Sequence, residues 1–273
     1  MSRGGRGGAA RRTGQDRGRR HARANVGDGG DGRVVVGLHP VRELLRAGRP
    51  VRRLLVADTR DASAVLAEIL GLARDAGIVV EEVDRARIDD RAEGQVHQGV
   101  LAIAPPFPYA MLPDVVARPR TEPLLLVALD SVTDPHNLGS IARTADAVGA
   151  HGLLLPSRRA ASVTPTAEKA AAGALAHLPV VQVANLVRTL KEMQGGGTWV
   201  VGLDGDAPDP IGDCRLLADA LVLVVGAEGR GLSRLTAETC DQLVRLPMRG
   251  AVGSLNASVA AAVALYEVLR HRG

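Results

Sequence analysis

From residue 34 onward, short apolar runs alternate with longer stretches in which apolar residues recur every three or four positions. VVVG, RRLLVAD, IVVEEV and GVLAIA, within residues 34–104, have the length and β-branched content of strands. Between them lie HPVRELLRAG and ASAVLAEILGLARDAG. In the second, Val65, Leu66, Ile69, Leu72 and Ala73 fall on one helical face, and Gly48 and Gly77 are placed as helix stops. Residues 34–104 are therefore expected to form a small α/β unit. Beyond residue 124 the runs LLLVALD, GLLLP, PVVQVA, TWVVGLD, LVLVVGAE and QLVRLPM are continuously apolar. That suits parallel strands covered by helices on both faces. Helices are expected to begin near Leu138, Thr166, Asn185, Ser233 and Leu255. The last, LNASVAAAVALYEVLRH, is apolar almost all round up to Leu265, which predicts a buried helix.

Composition adds boundaries. Residues 105–123 hold six prolines and read as an irregular connection between two domains, 34–104 and 124–273. Residues 1–33 offer almost nothing to bury and carry nine arginines against three aspartates. They read as a disordered Arg/Gly-rich tail, serving either as a nonspecific phosphate-binding arm or as a solubilising leader. The formal charge of +4 is thus a property of the tail, and a nucleic-acid site on the folded part has to be a local patch. Cys214 and Cys240 lack metal-site spacing and read as free thiols of a reducing compartment. Neither a secretory leader nor a membrane span is indicated, so the expectation is a cytoplasmic protein with no membrane and no metal.

Chemistry is expected at the strand ends, where LDSVTDPHNLGS, VVGAEGRGLS and LPMRGAVGSLN supply glycine-rich or polar turns. The dinucleotide fingerprint, the P-loop and the GxSxG elbow are all missing. Arg143 falls within a segment otherwise fit to be a buried helix, where a charge is costly unless it is used. It reads either as a phosphate ligand or as an arginine lying over apolar neighbours. Asn137 and Asn256 are placed equally well to cap helices or to line a site, and Glu228 to line a site or to solvate a turn. Arg42, Arg46, Arg49, Arg52 and Arg53 form a candidate RNA-phosphate patch, against the alternative of an ordinary solvated face.

Three segments, DPHNLGSIARTADAVGAHGLLLP, LVVGAEGRGLSRLTAETCDQLVRLPM and GAVGSLNASVAAAVALYEVLR, resemble in order and spacing the three motifs of SpoU/TrmH-type (SPOUT) RNA ribose 2′-O-methyltransferases. Residues 37–104 resemble the small substrate-binding domain of the bacterial 23S rRNA guanosine-2′-O-methyltransferase branch. The resemblance implies an α/β C-terminal SPOUT domain with a parallel sheet and a deep trefoil knot, an exception to unknotted topology. It also implies a preceding small L30e-like α/β domain, S-adenosylmethionine as methyl donor, and a homodimer whose active site uses both subunits. By motif, Arg143 matches the catalytic arginine, Asn137 the motif-one asparagine, Glu228 the motif-two glutamate, and Ser254 and Asn256 the motif-three polar pair. Gly226, Leu246 and Leu255 match positions whose backbone receives the donor.

The implied reaction is 2′-O-methylation of a guanosine in 23S rRNA. Arg143 acts either as a perturbed base or as a charged clamp that holds phosphate and stabilises oxyanion character, and energetics favour the clamp. The rival targets are tRNA or an rRNA site whose methylation confers antibiotic resistance. The non-enzymatic rival is an RNA-binding assembly factor.

Overall fold

The computed structural model describes residues 32–59, 63–158, 160–251 and 253–273. Residues 1–31, to which most of the expected tail belongs, lie outside the described residues. Arg33, also assigned to that tail, instead begins the first strand.

The small lobe runs β1 (Arg33–Val36), α1 (Leu38–Arg46), β2 (Arg53–Ala57), α2 (Ala64–Asp75), β3 (Val79–Val83), α3 (Arg85–Ala92) and β4 (Val100–Ala104). Its sheet has the order β1-β4-β2-β3; β4 is antiparallel to both its neighbours and β2 is parallel to β3. α1 and α2 cover one face through Val41, Leu44, Leu45, Leu66 and Ile69. α3 covers the other through Ile88 and Ala92. The proline-rich connection is not wholly irregular. It forms a short helix, α4 (Leu112–Val116), with Pro113 in its first turn, where a missing N–H costs nothing.

The large lobe runs β5 (Leu125–Leu129), α5 (Pro135–Ala147), β6 (Gly152–Pro156), α6 (Pro165–Ala170), α7 (Ala174–His177), β7 (Val180–Val183), α8 (Leu186–Gly195), β8 (Trp199–Leu203), β9 (Asp209–Pro210), β10 (Leu221–Val225), α9 (Arg234–Thr239), β11 (Gln242–Arg245) and α10 (Ala257–Arg272). The seven strands are parallel, in the order β7-β6-β5-β10-β8-β11-β9. Alternate side chains of the central strands enter two separate cores. Leu125, Val127, Leu129 and Leu223 meet α5 and α10. Leu126, Ala128, Val222 and Val224 meet α8 through Leu190 and Met193. This two-sided burial explains why the strands are apolar without alternation.

Helix starts differ from expectation by a few residues, for a common reason. α5 begins at Pro135, with the Asp134 carboxylate accepting from the His136 N–H at 2.9 Å. α6 begins at Pro165 under a Thr164 cap. In both, a cap followed by proline sets the start, not the first apolar residue.

α10 departs from the expected burial. Ala261, Ala264, Leu265 and Val268 are buried, but Val259, Val263, Tyr266 and Leu269 are 42–57% exposed and form one stripe. The helix is apolar on two sides, and the described residues cover only one of them.

The lobes meet at α6. The Glu168 carboxylate is buried against the Arg33 guanidinium, which also donates to the Pro105 carbonyl at 3.2 Å and lies 5.3 Å from the centre of the Phe107 ring. Burial pushes the Glu168 carboxyl up to about 7, against the pull of Arg33. A carboxyl raised on folding stabilises the fold at low pH and loses that contribution as pH rises through its folded value. Wild type should therefore lose thermal stability relative to Glu168→Gln between its ordinary 4.5 and about 7. Calorimetric scans across that window check this; a constant difference between the two proteins would contradict it.

Candidate active site at the carboxyl ends of the large sheet

The turns after β5, β10 and β11 converge beyond the carboxyl ends of the central strands, where parallel sheets place ligands. After β10 the segment GAEGRG folds back on itself: the Ala227 N–H donates to the Gly231 carbonyl at 3.0 Å, and Gly231 returns the bond at 2.9 Å. A Cβ on Gly226 would stand 2.2 Å from the Gly231 carbonyl carbon. Gly229 and Gly231 have φ of +75° and +63°. These three glycines are therefore required by the turn itself.

Asp130, at the end of β5, is buried and pins this turn. Its Oδ2 accepts from the Ser233 N–H at 2.6 Å, Oδ1 accepts from the Ser131 hydroxyl, and its own N–H donates to the Val225 carbonyl.

Asn137, Glu228 and Asn256, from three separate turns, are joined by one amide. Asn256 Nδ2 donates to Asn137 Oδ1 at 3.0 Å and to Glu228 Oε2 at 3.3 Å. Asn256 Oδ1 faces the other way and caps α10, accepting from the Ser258 N–H at 2.8 Å and from the Val259 N–H. Asn256 is thus both cap and linker. Asn137 caps nothing, because Asp134 fills that role; it is buried with its carbonyl oxygen spent on Asn256.

A cavity of about 370 Å³ opens beside this link. Gly226, Glu228, Leu246, Ser254 and Leu255 line it, so the structure brings these sequence-selected residues to one place. Sequence reasoning missed Leu203–Asp206 and Met248, which also line it. The signal for the first was present: the strand run TWVVGLD ends in Asp204 and is followed by GDAP, another polar strand-end turn. Asp130 was likewise visible as the polar end of LLLVALD.

Arg143 is not among the cavity-lining residues. It is exposed on α5, off the buried stripe of Leu138, Ile141, Ala142 and Ala145, and has no hydrogen-bond or ion-pair partner among the described residues. The expectation of a charge within a buried segment is thereby corrected: the guanidinium is not desolvated, and it is free to bind an anion.

The five small-lobe arginines lie on α1 and around β2, and most are engaged with their own chain. Arg42 and Arg46 pair with Glu43, Arg46 also with Glu68, and Arg53 with Glu81. Arg49 donates to the Ala176 carbonyl at 2.8 Å, and Arg52 is exposed. Burial pushes the Cys240 thiol up to about 12 and raises Cys214 as well, so neither thiol is primed as a nucleophile. Among the described residues, no cluster of three potential metal ligands occurs and no helix is long and apolar enough to cross a membrane.

A parallel sheet with glycine-bearing turns around a strand-end cavity, preceded by a small α/β lobe, defines a class of two-domain α/β proteins with a small-molecule site, and comparison with known proteins specifies it. Residues 124–266 match the SpoU rRNA Methylase family, and residues 34–110 match the family of RNA 2′-O ribose methyltransferase substrate-binding domains. A tRNA/rRNA methyltransferase of Mycolicibacterium vanbaalenii, itself described as uncharacterized, is 46% identical over 244 residues, covering 89% of this chain and 77% of that protein. The SpoU methyltransferase AviRb from Streptomyces viridochromogenes, solved in complex with the cofactor AdoMet, superposes with a TM-score of 0.73 at 32% identity, covering 88% and 90% of the two chains. An AdoMet-bound rRNA methyltransferase from Sinorhizobium meliloti gives 0.72 at 27% identity, covering 87% of each chain. The chain belongs to the SpoU/TrmH family of RNA 2′-O-ribose methyltransferases.

Asn256→Ala should lower stability by about 2 kcal/mol, since it removes a helix cap and leaves the buried Asn137 oxygen unpaired. Asn256→Ser keeps a capping oxygen but is too short to donate to Asn137 or Glu228, and should fall between the two. Urea titration of the three proteins checks the order.

Proposed function

We propose that the chain transfers the methyl group of S-adenosylmethionine to the 2′-hydroxyl of a guanosine in 23S rRNA, in the cytoplasm and as a homodimer. The observation that carries this reading is the Asn256 link between Asn137 and Glu228, set beside a cavity lined by Gly226, Leu246 and Leu255.

The residues present fit the donor. The cavity lies in the small-molecule range of roughly 300–1,000 Å³. Its charged lining is Asp204, Asp206 and Glu228 against Arg230 alone, which favours a ligand bearing positive charge. Bound there, S-adenosylmethionine supplies a methyl group already activated by sulfonium charge. Backbone groups of Gly226, Leu246 and Leu255 would hold it, while Asn137, Glu228, Ser254 and Asn256 orient the nucleotide. Arg143 stays charged, grips the RNA phosphate and stabilises the oxygen as negative charge grows on it, while the hydroxyl proton leaves to solvent as the methyl bond passes from sulfur to oxygen.

Arg143 does not line its own chain's cavity, which supports a site completed by a second copy. The exposed stripe Val259, Val263, Tyr266 and Leu269 supports α10 as the surface that brings the copies together. The knot is the finer part of the fold proposal. It is supported by α10 returning to pack on α5 while β11 lies beyond β8. The small lobe, matched as a substrate-binding domain, supports an rRNA target.

Three measurements test the proposal. Arg143→Lys should bind the donor normally, yet lose about a hundredfold in kcat, because a point charge does not reproduce the planar fork; near-normal transfer would overturn both the clamp and the base. Tyr266→Asp should convert a dimer to a monomer in light scattering, and a monomeric wild type would overturn the dimer. Mapping 2′-O-methyl groups in total RNA after gene deletion should show one 23S rRNA guanosine lost. A loss in tRNA instead would select the rival target. No loss, with no donor binding by calorimetry, would select an assembly factor.

A further inference from the structure

The segment from α6 to α7, residues 165–177, is clasped from both sides. On one side it meets the small lobe at four places. Arg33 of β1 pairs with the buried Glu168. Lys169 Nζ donates to the Val96 carbonyl at 3.0 Å. Arg49 donates to the Ala176 carbonyl, near the end of α7, at 2.8 Å. His177 Nε2 lies 3.3 Å from Oε2 of Glu43 on α1. The packing there leaves no slack: Gly173, which precedes α7, has φ +105°, and a Cβ on it would stand 2.4 Å from Cβ and Cγ of Glu43.

On the other side the segment meets α5. A Cβ on Gly139 would stand 2.3 Å from the Ala167 carbonyl oxygen and 2.6 Å from Ala170 Cβ. α5 is the helix that carries Asn137 and Arg143. Two glycines, one on each side, thus let a thin layer of chain touch both the small lobe and the catalytic helix at van der Waals limits.

We infer that the α6–α7 segment is a rigid spacer that sets the small lobe at one distance and angle from α5, with Glu168 and Arg33 as positioning residues that deliver bound RNA to the strand-end site in register. The inference rests on the RNA-methylation reading for its consequence, not for its geometry. Within the clasp Glu43 faces Arg42, Arg46 and His177, and Glu168 faces Arg33. One Glu168 oxygen takes the guanidinium, and the other, also buried, has no partner among the described residues. A single cation therefore anchors that corner. Its loss should free the lobe to sample orientations in which RNA bound to it misses the site, reducing apparent affinity by the fraction still competent.

The test uses the full chain in a Cys240→Ala background, with spin labels at two exposed positions, Asp90→Cys in the small lobe and Lys191→Cys in the large. Cys214 is fully buried. With the labelled chain diluted into excess unlabelled protein, so that a dimer carries one labelled protomer, the pulsed-resonance distance distribution should be single and narrow in that background, broader in Arg33→Ala and in Glu168→Gln, and restored in Arg33→Lys. In steady-state assays without labels, Arg33→Ala should raise KM for RNA roughly tenfold, keep kcat within about twofold at saturation, and leave donor affinity unchanged. An unchanged distribution with unchanged KM would overturn the inference. So would a lowered melting temperature accompanied by loss of kcat alone, which marks a merely structural pair. The distance measurement needs neither donor nor RNA. If wild type fails to bind S-adenosylmethionine, the functional reading falls while the spacer is still judged on its own readout.

Discussion

The side-chain amide of Asn256 holds the centre of the large lobe's chemistry. Its oxygen is committed to the first turn of α10 and its nitrogen to Asn137 and Glu228. One planar group therefore fixes where the last helix starts and where the turn after β10 stands relative to α5. No other side chain of that size offers an acceptor on one edge and two donors on the other, apart from glutamine, which is too long for the cap. Asp130 does the corresponding work below it, tying the Ser233 amide to the end of β5. These two polar anchors tie together segments that border the strand-end cavity.

What was legible in the sequence follows from what burial does to composition. The ten strands expected were visible because each is short and apolar, and the central ones are covered on both faces. β9 was not visible, since a two-residue strand, Asp209–Pro210, carries no pattern at all. α3 escaped because RARIDDRA buries only Ile88 and Ala92. The early starts of α5 and α6 were written in Asp-Pro and Thr-Pro, chemistry that acts before the first apolar residue. Asn137, Glu228 and Asn256 were each ambiguous alone. Their common identity came through resemblance of three motifs, and the hydrogen bonds joining positions 119 residues apart are a property of the folded chain. α10 shows the opposite limit: hydrophobicity says that a face is to be covered, not which chain covers it.

The arginine content of the small lobe carries a similar lesson. A count of charges along residues 42–53 suggests a positive surface. In the fold, Glu43, Glu68 and Glu81 sit among those arginines and neutralise much of the local field. Their geometry stiffens α1 and the edge of β2 more than it advertises a landing strip. The guanidinium of Arg143 is in this respect like that of Arg52 and unlike those of Arg42, Arg46 and Arg53, because it has no ion-pair partner among the described residues.

Gly139 has a mechanical meaning beyond close packing. With Ala167 and Ala170 already at contact, α5 and α6 have no compliance along the line joining them and behave as one lever. A methyl group at residue 139 would insert a wedge at the fulcrum, separating two helices whose torque is otherwise shared.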